Sequence, residues 1–448
     1  MKSHLYKKHF IMNQKLTVFL LFILAQAPIF QATGQEKQIT SSSTLQDYIE
    51  YAWEKRGSIQ QSIIDEEILD KEIASSLSGW FPQIGSQVNY SRNLIEQNNQ
   101  IANSASFKHT GLVNIYADQN ILDARLLQAS KAAPLLRQNA SLLVELDKIN
   151  TVVEVSKSYY DIITTSKQIE IIEENIQRIK RQLEDATLRY ETGIVDKTDF
   201  KRAQISLANG EMEKNRLQEV LKSKYAYFAE IIGYSGTLQF EINMDDIDME
   251  NHIISNFETN PNYENRVELK HLLTVKEIQK VNTQYNKWSF LPSLSASYNY
   301  GWDFRKQEFN GFFNTHQPRS TFGVSLNFPI FQGGRRIHEI KKSKLQEGRI
   351  DWDIINLKRF FNTEYEAALA NYKASLYNFN TAEKTVEWSE EVYEIIKLQY
   401  NEGLKNYLEL MTAENELKVS QINYLNSMYS VLSAKLDVEK SLGKITVN

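Results

Sequence analysis

Two hydrophobic periods take turns along this chain. From Thr44 to Leu77 apolar residues recur at helical spacing, first Leu45, Tyr48, Ile49 and Ala52, then Ile63, Ile64 and Ile68. Serines at 41–43 supply capping groups before Leu45. Gly79-Trp80-Phe81-Pro82 stops the helix. The period then drops to two: Ile84, Val88 and Tyr90 alternate with Gln83, Gln87, Asn89 and Ser91, which predicts a strand. A polar loop from Asn93 to about Thr110 leads into a weaker alternating run, Gly111 to Ile121, so the pair reads as a β-hairpin.

Helix resumes at about Ala124, with Pro134 marking a kink or the true first turn. Val152, Val155, Tyr159, Ile162, Ile169, Ile172, Ile176, Ile179 and Leu183 are mostly three, four or seven apart, the seam of a coiled coil. At ~1.5 Å per residue the rod from Ala124 to Gly193 would reach roughly 100 Å. Gly193 ends it, and a return helix runs from about Thr198 to Ile232 on Ala203, Leu207, Leu217, Val220, Leu221 and Tyr225. Residues 237–262 have no clear period. Their acidic cluster, Asp245, Asp246, Asp248 and Glu250, lacks the Asp/Asn ladder of a calcium loop and reads as a solvated connector.

The whole sequence of elements then recurs. Leu294, Ala296, Tyr298, Tyr300 and Trp302 alternate with Ser295, Ser297 and Asn299, and Phe322, Val324, Leu326 and Phe328 with Ser325 and Asn327. Pro329-Ile330-Phe331-Gln332-Gly333-Gly334-Arg335 turns the chain back into helix. Pro82 and Pro292, Tyr190 and Tyr400, Gly193 and Gly403, Asp199 and Glu409, and Ala203 and Ala413 are all 210 apart, which is an internal duplication. The predicted domains are a leader at 1–34, a first repeat at 35–236, a connector at 237–262 and a second repeat at 263–448. The strand hairpins fall at about 83–121 and 292–331, the helical hairpins at about 124–232 and 334–442. In the second rod Leu357, Phe361, Tyr365, Ala368, Tyr372, Leu376 and Phe379 follow an eleven-residue period, which predicts nearly straight packing.

Composition narrows what such a molecule can be. There is no cysteine, so disulfides and thiolate chemistry are excluded. The net charge is −5 and no basic stripe is present, which argues against nucleic acid. Lys7, Lys8 and Lys15 precede the apolar run Leu16–Phe30, and Ala32 and Gly34 follow, the pattern of a secretory signal peptide, with a single membrane anchor as the other reading. Met12 is an alternative start. No later run is long enough for a membrane helix, so a membrane would have to be crossed by strands. Four strands cannot close a barrel alone. Shared between subunits, with Tyr298, Tyr300, Trp302, Phe322 and Phe328 toward lipid, they can; a soluble sandwich would alternate in the same way.

Taken together, the motifs Phe81-Pro82-Gln83-Ile84, Leu291-Pro292-Ser293-Leu294, Pro329–Arg336, Arg189-Tyr190-Glu191-Thr192-Gly193 and Tyr400-Asn401-Glu402-Gly403 resemble the TolC-like outer membrane efflux proteins. The resemblance covers about residues 40–445. It implies a mixed α/β membrane protein, a homotrimer with a twelve-stranded outer-membrane barrel continued by an α-helical periplasmic barrel. It also implies a passive exit duct of a tripartite efflux or type I secretion system, docked to a periplasmic adaptor and an inner-membrane pump of the RND, ABC or MFS type. By position it assigns a pore constriction to Glu409 and Thr412, where Thr412 replaces a second acidic residue. It assigns the adaptor-docking tip to Tyr190, Gly193, Ile194, Asp199, Tyr400, Gly403, Leu404 and Lys405, where Lys405 replaces an arginine. Glu409 also reads as a solvated helix face, and Asp199 as a helix cap.

Enzyme chemistry, a cofactor and a metal site find no motif. Histidines are scattered, no His-Glu-x-x-His occurs, and Gly333-Gly334 lacks the residues of a phosphate loop. The competing class is a secreted coiled-coil scaffold or adhesin without a pore.

Overall fold

The computed structural model describes residues 43–94, 107–193, 197–236, 242, 253, 257 and 262–447. The leader at 1–34, the tip residue Ile194 and most of the connector lie outside the described residues. In chain order the elements are α1 (Leu45–Lys55), α2 (Gly57–Leu77), β1 (Gln83–Arg92), β2 (His109–Leu122), α3 (Ala124–Glu191) and α4 (Lys197–Ile232). The second half contributes α5 (Val267–Trp288), β3 (Ser293–Lys306), β4 (His316–Asn327), α6 (Arg335–Asn401) and α7 (Tyr407–Ser441).

The first predicted helix is two. Thr44 and Asp47 form a capping box that starts α1, and Arg56, with extended backbone (ψ 124°), ends α1 and begins α2. Asp123 caps α3 by accepting from the Arg125 amide at 2.7 Å, so the rod starts at Ala124 and Pro134 lies inside it.

The four strands form one antiparallel sheet in the order β1-β2-β3-β4. Their register decides what each face carries. Ile84 pairs with Ala117, Ala117 with Tyr298 and Tyr298 with Phe322. Val88 pairs with Val113 and Val113 with Trp302. Because side chains alternate, one face collects these apolar residues from all four strands. The other collects Gln87, Asn89, Asn114, Ser297, Asn299, Thr321 and Ser325, and Asn114 donates to Asn299 across it at 3.2 Å. The apolar face is open in the single chain, with Ile84, Val88, Phe322 and Leu326 all exposed. Among the described residues no helix is long and apolar enough to cross a membrane.

The long helix α3 is the hub of the helical part, packing against α1, α2, α4, α5 and α7. Crowding from so many sides explains its small hydroxylated residues. Thr151, Thr164 and Thr165 are buried and return their hydroxyls to the carbonyls of Asp147, Tyr160 and Asp161 at 2.7–2.8 Å, so these three hydroxyls are satisfied. The twin rod α6 is different. It buries Phe361, Tyr365, Tyr372 and Phe379 on one side and exposes Trp352, Tyr377, Trp388 and Leu398 on the other. Arg266, almost fully buried, joins α5, α6 and α7: it pairs with Glu268 and Glu364, donates to the Ser441 carbonyl and stacks its guanidinium 3.7 Å from the Phe361 ring.

Gly301 pairs with Asn114 in mid-sheet, and a Cβ there would run into the Val113 carbonyl oxygen. We expect Gly301→Ala to weaken the β2–β3 ladder by about 1–3 kcal/mol, the cost of overpacking a tight site. Faster hydrogen exchange at 110–118 and 297–305, with Gly57→Ala as a control in open space, would show it.

Candidate functional site

Both helical hairpins end on a glycine in the left-handed region. Gly193 has φ +74° and Gly403 φ +75°, and each donates its amide to the carbonyl three residues back, Tyr190 and Tyr400. A residue with a Cβ would be strained at either turn. In the first tip Tyr190 of α3 stacks on Phe200 of α4, with centroids 5.9 Å apart and planes within 11°. Asp199 lies in the first turn of α4, where the helix dipole favours a carboxylate, and stands 3.9 Å from Arg202.

The second tip is organised by Glu409. Asn406 caps α7 by accepting from the Glu409 amide at 3.0 Å, and the Glu409 carboxylate accepts in return from the Asn406 amide at 3.2 Å. Lys405 donates its ammonium to the same carboxylate at 2.6 Å. The sequence resemblance assigned Lys405 to the docking tip and Glu409 to the constriction; the structure makes them one unit, a capping box closed by an ion pair. The Lys405 hydrogen bond and then the Asn406 amide hold the Glu409 carboxyl below the usual glutamate range. Leu404 is exposed beside them. Thr412, one turn further on, donates to the Leu408 carbonyl at 2.8 Å and offers no charge.

Behind the tips a polar ladder ties α7 and the end of α6 to α3. The Tyr400 hydroxyl reaches Asp185 at 3.4 Å, Arg189 lies over the Tyr400 ring at 5.3 Å, and Arg189 and Asp185 are themselves paired at 2.9 Å. The buried Tyr407 hydroxyl reaches Gln182 at 3.5 Å, and burial pushes the phenol pKa up, as it does for Tyr400. The innermost rung is Glu414, 3% exposed. Its carboxylate accepts from Asn175 at 3.1 Å, Arg178 at 3.0 Å and Gln182 at 2.8 Å. Sequence reasoning missed Glu414. The available signal was a carboxylate between the seam residues Ala413 and Leu417, opposite polar residues at 175, 178 and 182 on α3. A cavity of about 390 Å³ opens beside it, lined by Arg202 and Glu213 of α4 and by Thr412, Glu414 and Lys418 of α7.

The described site residues thus fall into two adjacent tips, joined through Tyr400, Asp185 and Arg189. Among the described residues no cluster of His, Asp and Glu could hold a metal ion. Nor do the described residues form a catalytic arrangement. The geometry suits a mechanical role, a pair of turns held by a ladder of hydrogen bonds.

Comparisons with known proteins agree on one group. The sequence profile of the family "Outer membrane efflux protein" matches residues 48–234 and 280–444, well over half the chain. The outer membrane efflux protein BepC of Brucella suis biovar 1 is 21% identical over 446 residues, covering 95% of this chain and 91% of that protein. The outer membrane protein TolC of Escherichia coli K12 is 18% identical, covering 86% of this chain and 79% of that protein. The crystal structure of the Campylobacter jejuni CmeC outer membrane channel superposes with a TM-score of 0.73 at 14% identity, over 89% of this chain and 85% of that one.

Two outcomes test the site's energetics. Glu414→Ala leaves the Arg178 guanidinium facing a buried, empty acceptor position; we expect a loss of about 3 kcal/mol, the lower end for breaking a buried pair because Arg178 keeps some solvent contact. Urea unfolding followed by helical circular dichroism measures it, and Glu414→Gln should cost less. The Glu409 capping box has a pH signature. A carboxyl whose pKa is lowered on folding contributes stability that is present above its unfolded value and is lost as pH falls through the lower folded value. Intrinsic-rate-corrected amide protection at 407–410 should therefore exceed that of Glu409→Gln at neutral pH, and the difference should vanish only below the ordinary glutamate range.

Proposed function

The chain belongs to the outer membrane efflux protein family, and from that premise we propose how it assembles and where it closes. It is an outer-membrane channel with a periplasmic helical extension, an efflux duct and not an enzyme. In our reading three copies close one twelve-stranded barrel and continue it as a helical tunnel. The duct is passive and docks at its helical tips to a periplasmic adaptor, which links it to an inner-membrane pump of the RND, ABC or MFS type or to a type I secretion exporter.

The observation that carries this reading is the sheet register. One face is apolar across four strands, the other is polar, and β1 and β4 each leave an edge unpaired among the described residues. Such a sheet meets water on the wrong face and leaves unsatisfied edges unless other copies complete it in lipid. The exposed Trp352, Tyr377 and Trp388 of α6, and Ile205 and Met212 of α4, supply matching apolar surface for neighbouring subunits along the tunnel. A pore-less scaffold would use the rods but leaves this sheet unexplained.

At the tips we assign the constriction to Glu409 and Thr412, and adaptor docking to Tyr190, Gly193, Ile194, Asp199, Tyr400, Gly403, Leu404 and Lys405. Three Glu409 carboxylates would favour cations, and the Lys405 ammonium bound to each would offset that preference. In planar bilayers we therefore expect Glu409→Gln to lower the K⁺ over Cl⁻ permeability ratio and Lys405→Ala to raise it. Unchanged ratios in both variants would remove these residues from the constriction.

A further inference from the structure

The turn Pro329–Arg336 is a conspicuous motif to which the tip chemistry assigns no role. It leaves β4 at the periplasmic rim of the sheet and opens α6. Its first half is apolar and bare: Phe328 continues the apolar row of β4, and Ile330 and Phe331 are each more than 85% exposed. Its second half presents two guanidiniums to one neutral oxygen. Arg335 donates to Gln332 Oε1 at 2.8 Å and Arg336 donates to the same atom at 3.1 Å. Arg336 also donates to the Pro329 carbonyl at 3.1 Å and lies 5.0 Å from the centre of the Phe290 ring.

Neither arginine has a carboxylate partner among the described residues. The acidic groups nearby are taken: Asp123 pairs with Arg125 at 3.0 Å, and Glu339 stands 3.5 Å from Lys342. The two arginines line an open cavity of about 610 Å³ with Arg125, Gln332, Asp123 and Glu339, so three guanidiniums face it against two carboxylates. Two cations converging on an amide oxygen are poorly matched, whereas two anionic oxygens would accept both forks. The anion must sit where Ile330 and Phe331 also find apolar surroundings, which at the rim of a membrane sheet is the boundary between acyl chains and headgroups.

We propose that Arg335 and Arg336 hold the phosphate of a phospholipid in the periplasmic leaflet, with Ile330 and Phe331 seated against its acyl chains. Gln332 Oε1 accepts from both guanidiniums and so holds them together at one point. The site lies at the opposite end of α6 from the tips, so its test does not depend on how the adaptor docks.

The test is native mass spectrometry of the delipidated full-length protein in non-ionic detergent, with added phosphatidylglycerol or a diacylglycerol of the same chains. The wild type should retain phosphatidylglycerol and not diacylglycerol. Retention should fall roughly tenfold in Arg335→Gln/Arg336→Gln, as expected for losing charge-assisted bonds. It should also fall in Ile330→Ser/Phe331→Ser, and excess inorganic phosphate should not displace the lipid. Equal retention by the glutamine variant, or of diacylglycerol by the wild type, overturns the proposal. So does displacement by inorganic phosphate with no effect of the serine variant, which would mark a bare anion site. If the glutamine variant does not assemble, Arg335→Lys/Arg336→Lys with the wild-type competition decides, since lysine keeps the charge but loses the fork, and retention equal to wild type then counts against the assigned geometry.

Discussion

A four-stranded sheet with one apolar face and two unpaired edges is not stable alone in any solvent. In water its apolar face is exposed, and in lipid its edges strand backbone donors and acceptors. This constraint organises the rest of the molecule. Closing the edges with further copies satisfies it, and the hairpin connections then fix where everything else must go. α2 enters β1, β2 leaves into α3, α5 enters β3 and β4 leaves into α6, so all four chain crossings lie at one rim of the sheet. A barrel built this way has helices at one end only, and they extend its wall.

The duplication supplies this plan twice, but the two copies do different work. α3 is enclosed by five other helices and answers with buried threonines and serines. α6 keeps an exposed aromatic side that a single subunit cannot cover. The tips diverge in the same way. Tyr190 stacks within its own hairpin on Phe200, whereas its counterpart Tyr400 reaches across to Asp185 of the first repeat. Glu414 corresponds by the 210-residue offset to Gln204, which is exposed. The polar ladder therefore exists once per chain and links the two repeats.

The mixed architecture was legible because both of its periods are strong and each occurs twice. Alternation in β3 and β4 is clean because Tyr298, Tyr300, Phe322 and Val324 fall on one face opposite serines and asparagines. In β2 it is blurred by Leu112 and Tyr116 on the polar face, where Tyr116 fills the space beside Gly85. A single sequence shows such a residue as noise, because the glycine that makes room for it is on another strand. The break at Arg56 carried one signal, Gly57 directly after it, which the continuous helical spacing of the apolar residues outweighed; the two helices separate only in the backbone of one residue. Glu414 was missed because its partners lie more than 230 residues away and become partners only when α7 lies on α3.

The tip combines two carboxylates of opposite character on one helix. Glu409 is solvent-exposed and bound by neighbours on its own turn, so its bonds can be exchanged for water. Glu414, five residues on, is buried and bound entirely by another helix, so moving it exposes or strands a charge. The first turn of α7 is therefore the compliant part and the Glu414 rung the stiff part. In the proposed duct, a widening at Glu409 that left the rung intact would be confined to the first turn or two of α7 and the Gly403 turn. A wider opening must break the bonds from Asn175, Arg178 and Gln182 together, because all three converge on one carboxylate. The stiff element of the tip is thus the buried Glu414 rung, and in the proposed duct it, rather than the exposed Glu409 carboxylate, would resist opening.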